Sequence, residues 1–122
     1  MTEPLHLTVI IKDDRLRTTI GSHLAHARGQ EHVRTFRTRD EFDHARFGGP
    51  QLFQVDGVIV AHADAPNTLA SHIGQIKESA PDARIIVVRK LNEVFALENV
   101  DCDILPFDAS LAERVDRVLQ SA

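Results

Sequence analysis

The chain has one cysteine, one methionine, no tryptophan and no tyrosine in 122 residues. A single thiol, Cys102, excludes an internal disulfide framework and any four-thiolate metal site within one chain. Stacking of bases or sugars would fall to six Phe and seven His. No apolar run approaches the ~20 residues that cross a bilayer, and Met1-Thr2-Glu3-Pro4 does not open a secretory leader. Positive charge is not in excess: 14 Lys and Arg stand against 18 Asp and Glu, a formal charge of −4. That balance argues against a dedicated nucleic-acid surface. Glycine and proline are scattered, with no linker, repeat or low-complexity tract. What remains is ordinary globular material, 43% hydrophobic and 26% charged, long enough to build one core. The expectation is a single cytoplasmic domain over residues 1–122, with no membrane or nucleic-acid partner.

Short apolar runs alternate with helical spacings. Leu5 to Ile11 reads as a strand apolar on nearly every residue, hence covered on both faces. Leu16, Ile20 and Leu24 then recur every four residues, which predicts a helix over about 14–28. Asp13 or Asp14 can cap its start, and Gly29 suits its end. His32 to Arg37 alternates as an edge strand. Asp40 is placed as the cap of a short helix carrying Phe42 and Phe47, closed by Gly48-Gly49-Pro50. Val55 to Val60 is a third strand. A helix opening at Asp64-Ala65-Pro66-Asn67 places Leu69, Ile73 and Ile76 on one face. Ala80-Pro81-Asp82 ends it before the strand Arg84 to Val88. A weaker helix covers 92–98, a short strand 103–105, and the last helix carries Leu111, Val115, Val118 and Leu119. Its start is assigned to Asp108 or to the Ser110/Glu113 pair. Five strands separated by helices predict an α/β fold, a doubly wound parallel sheet with helices on both faces. Ligands of such a sheet sit outside the carboxyl ends of its strands.

At those ends the chain resembles the receiver domain of bacterial response regulators, over roughly residues 5–120. The pieces that carry the resemblance are Ile10-Ile11-Lys12-Asp13-Asp14-Arg15-Leu16-Arg17, Val55-Asp56-Gly57-Val58-Ile59-Val60, Ala80-Pro81-Asp82 and Pro106-Phe107-Asp108. The resemblance implies strand order 2-1-3-4-5 and a pocket of five polar residues: two acids holding Mg²⁺, a phosphoryl-accepting Asp, a switch hydroxyl and a phosphate-binding Lys. Transcribed here, the first acid falls on Lys12 and the second on Asp13. The acceptor falls on Ala61, the hydroxyl on Arg89 and the lysine on Leu105. Four of five are lost. A methyl group cannot attack phosphorus, and a hard cation needs oxygen ligands. The resemblance therefore implies a degenerate receiver that is no enzyme and takes no cofactor or metal. Its rim reads as ion-paired, with Asp13, Asp14 and Asp64 facing Lys12, Arg15, Arg89 and Lys90.

Each candidate has a plainer reading. Asp13 and Asp14 serve a helix start, and Asp64 caps the helix opening at Pro66. His23 and His26, three apart, read as solvated surface and Cys102 as a buried small hydrophobe. Arg34, Arg37 and Arg39 read as solvated edge charge or an anion patch. The family's partner face, transcribed, covers 92–100, 102–105 and 109–120. Val94, Phe95, Leu97 and Ile104 supply apolar anchors within a charged rim that includes Arg114 and Arg117. The expected function is a phosphorylation-independent contact module of a bacterial two-component or localisation system. Its partner is a protein or a fused effector domain, or a second copy as homodimer. Two alternatives stand beside it: a phosphoacceptor using Asp64 or Asp13, and a metal or small-ligand sensor built on His62 and Asp64.

Overall fold

The computed structural model describes residues 5–48, 54–64, 68–91 and 102–120. In chain order they form β1 (Leu7–Ile10), α1 (Asp14–Arg28), β2 (Val33–Phe36), α2 (Arg39–Phe47), β3 (Gly57–Ala61), α3 (Leu69–Ser79), β4 (Arg84–Arg89), β5 (Asp103–Pro106) and α4 (Leu111–Gln120). Short 3₁₀ turns at Gln30–His32 and His62–Asp64 precede β2 and follow β3. The strands form one parallel sheet in the order β2-β1-β3-β4-β5. The expected doubly wound α/β architecture is present. The helix expected at 92–98 lies outside the described residues.

Alternation along the central strands divides the core into two layers. Ile10, Val58, Val60, Ile85 and Val87 pack with Phe42, Leu69, Ile73 and Ile76 of α2 and α3. Val9, Ile11, Ile59, Ala61, Ile86 and Val88 pack with Ile20 and Leu24 of α1 and Leu111 and Val115 of α4. The near-continuous apolar strands are what a sheet covered on both faces requires.

The termini of α1 lie where its local chemistry puts them. The Asp13 carboxylate accepts the Leu16 N–H at 2.8 Å, and Gly29 ends the helix at φ 100°, a conformation that side chains resist. At α2 the cap is Thr38, whose hydroxyl accepts the Glu41 N–H, rather than Asp40. Asp40 sits in the first turn instead, where its charge still meets the helix dipole favourably. Phe42 is wholly buried while Phe47 is 57% exposed, so only the first of that pair joins the core. At the last helix Asp108 shapes the entry, accepting the Ser110 N–H at 2.8 Å. No helix among the described residues is long and apolar enough to cross a membrane.

Candidate functional site

β1, β3, β4 and β5 all end at the same edge of the sheet, and there a cavity of about 570 Å³ opens. It is lined by Lys12, Asp13, Arg15, Leu16, Thr19, Ala63, Asp64, Lys90 and Phe107. The turn after β1 is held from two sides. The Asp64 carboxylate, carried by the 3₁₀ turn after β3, accepts the Lys12 N–H at 2.6 Å, with its other oxygen 3.4 Å from the Asp13 nitrogen. Arg17 reaches back from α1 to the carbonyls of Ile11 (3.1 Å) and Lys12 (3.4 Å). An anionic acceptor on the amides and a cationic donor on the carbonyls leave this turn little freedom.

Of the seven residues expected at the pocket, Lys12, Asp13 and Asp64 line the cavity. Ala61 does not. Its methyl group is 1% exposed and belongs to the apolar layer facing α1 and α4. Leu105 packs against the same layer. The Arg89 guanidinium donates to the carbonyls of Lys90 (3.2 Å) and Leu91 (3.3 Å). Asp14 turns away from the rim to Arg17, which donates to it at 2.6 Å, and to Arg37 at 3.5 Å. The Arg17 hydrogen bond, followed by the charges of Arg37 and Arg17, holds the Asp14 carboxyl below its ordinary range.

Two expectations are thereby corrected. Among the described residues the oxygens of Asp64 serve amides on another loop, and the N-cap position of α3 is Thr68 rather than Asp64. Nor, among the described residues, does an ion pair join Asp13, Asp14 or Asp64 to Lys12, Arg15 or Lys90. Asp13 is engaged by the α1 N-terminus, Asp64 by the β1 turn and Asp14 by Arg17 and Arg37. Among the described residues, Lys12, Arg15 and Lys90 have no ion-pair partner.

Other side chains also differ from their expected settings. His23 is no solvated surface residue: its Nε2 accepts the Ala112 N–H at 3.3 Å and its ring meets Phe107 edge-on. His26 is exposed. Arg39 donates to Ser79 Oγ at 2.8 Å and lies 3.4 Å from Asp43 and 3.5 Å from Glu78, so it is not loose edge charge. Cys102 is half-buried rather than buried. Among the described residues, no three His, Cys, Asp or Glu side chains converge as metal ligands, and His62 and Asp64 gain no third.

On the expected partner face, Val94, Phe95 and Leu97 lie outside the described residues. Ile104 packs against the core layer under α2 and α3. Arg114 donates to Asp108 at 2.8 Å, whereas Arg117 is exposed. Sequence reasoning overlooked Thr19 at the cavity and the Arg17 bonds to the turn after β1. Thr19 stands one turn beyond Arg15 on the same helix face, a spacing that could have placed both at the strand ends.

Solved structures share this fold. A response regulator receiver domain protein from Bacillus halodurans superposes with a TM-score of 0.67 at 16% identity, covering 98% of this chain and 100% of its own. A pilus assembly-related protein from Burkholderia pseudomallei superposes with a TM-score of 0.67 at 14% identity, covering 95% and 90%. The chain has the receiver-type fold. No protein-family model and no curated protein sequence matches it.

Proposed function

We propose that this domain is a receiver-like signalling module that works by protein contact and takes up no phosphoryl group. One observation carries the reading: the strand end that should present a nucleophile presents the buried methyl of Ala61. Nucleophilic phosphoryl capture needs an oxygen, nitrogen or sulfur at the reacting point. The neighbouring carboxylates are already engaged, Asp64 by two amides and Asp13 by the start of α1. The module therefore performs no catalysis and needs no cofactor. Its contacts are made with a protein partner, a fused effector domain or a second copy. The exposed Arg117 on α4 is assigned to the contact face; Val94, Phe95 and Leu97, expected there from the sequence, lie outside the described residues. The structural similarity to a pilus assembly-related protein supports a place in a localisation or two-component assembly.

Intact-mass measurement after incubation with Mg²⁺ and acetyl phosphate tests the first half. No phosphoryl adduct is expected, and an adduct lost in Asp64→Ala or Asp13→Ala would establish the phosphoacceptor alternative instead. Sedimentation and partner capture test the second half. Arg117→Glu or Phe95→Ala should weaken self-association or capture while the fold is retained, and a strict monomer that captures nothing would count against contact function.

A further inference from the structure

We infer that the rim cavity is an anion site, taking a phosphorylated organic molecule of nucleotide size without a metal ion. Its cavity of about 570 Å³ lies within the ~300–1,000 Å³ usual for small-molecule sites. Three cationic side chains, Lys12, Arg15 and Lys90, line it and have no ion-pair partner among the described residues. The two acids that line it, Asp13 and Asp64, have carboxylate oxygens directed at backbone N–H groups, which offsets part of their charge. The polarity available to a ligand is thus positive. Charge-assisted hydrogen bonds to phosphate oxygens are the strongest contacts such side chains form.

The remaining wall selects the rest of the ligand. Leu16, Ala63 and Phe107 are apolar, and Phe107 is steadied by its N–H, which donates to the Arg89 carbonyl at 2.8 Å, and by the ring of His23. A ring face or hydrocarbon body can rest there while the phosphate meets the cations. An inorganic ion would leave that wall uncovered, and an uncharged nucleoside would leave the cations unused. The Asp64 and Arg17 hydrogen bonds hold the Lys12 turn before any ligand arrives, which limits the ordering cost of binding.

The test is NMR titration of the intact protein in EDTA with the four common nucleoside monophosphates, their nucleosides and orthophosphate. At least one monophosphate should shift the Lys12, Thr19 and Asp64 amides and the Phe107 ring saturably, with its nucleoside silent and orthophosphate weaker. The double variant Lys12→Gln/Lys90→Gln should weaken that binding at least about tenfold, whereas Lys77→Gln, on α3 and outside the cavity lining, should not. Both lysines are exposed, so unchanged amide spectra elsewhere will certify the fold. Absence of saturable shifts up to about 5 mM, equal binding of orthophosphate, or indifference to the double variant would overturn the assignment. None of these readouts depends on phosphoryl transfer or on a protein partner.

Discussion

Asp64 accepts the backbone N–H of Lys12 at 2.6 Å across 52 positions of sequence. This bond ties the turn after β3 to the turn after β1, beside the strand end occupied by Ala61. The carboxylate is directed at backbone N–H groups of that turn.

Removing that carboxylate should loosen the rim before it unfolds the domain. Asp64→Ala is expected to lower stability by about 1–2 kcal/mol, the usual loss when amides forfeit a charged acceptor. Denaturant midpoints check the magnitude. Hydrogen exchange should show the Lys12 and Asp13 amides losing protection first; unchanged protection at both would show that the bond contributes nothing.

The α1 cap offers a local counterpart. Asp13→Ala should cost about 1 kcal/mol, and Asp13→Ser should recover most of it, because a hydroxyl also accepts the Leu16 N–H. Thermal midpoints of the two variants, compared with the parent, decide this.

Restoring the family's acceptor residue should fail twice. Ala61→Asp would put a carboxylate into an apolar layer where the native methyl is 1% exposed, at a cost of about 3 kcal/mol or more. Whatever fraction still folds should gain no phosphoryl mass from acetyl phosphate and Mg²⁺, since Lys12, Arg89 and Leu105 remain. Circular dichroism and intact mass on the same sample read both outcomes.

A pH dependence follows from His72 on α3. Burial pushes its imidazole below the ordinary value of about 6.5, and the charge of Asp64 opposes this only in part. The hollow it faces is also lined by Lys12, Arg37, Arg39 and Asp40. The folded state then binds its proton less readily than the unfolded chain does. This contribution to stability is present above about pH 6.5 and is lost as pH falls through the lowered folded value. Denaturation from pH 7.5 to 5 should show the loss, and His72→Gln should flatten that slope; an identical slope in the variant would remove His72 as its source.

Much of the fold is written in local chemistry. The bounds of α1 were legible because a capping acid and a glycine bracket an apolar stripe, and both signals act within a few residues. The parallel sheet was legible because only a strand covered on both faces tolerates runs such as Ile85-Ile86-Val87-Val88. The same runs hide which face each residue takes, since every position is apolar, so the direction of Ala61 could not be read. Thr38, two positions before the expected cap Asp40, carries equivalent capping chemistry, and only the placed backbone decided between them in favour of Thr38.

The amino-acid order by itself determined a five-strand α/β fold, because strand period, helix caps and side-chain chemistry are properties of neighbours. Only the tertiary structure decided how the rim charges are used. Asp64 could equally have capped the next helix. It turned to Lys12 because folding brings unpaired amides within its reach, and nothing near position 64 records amides that lie 52 residues away.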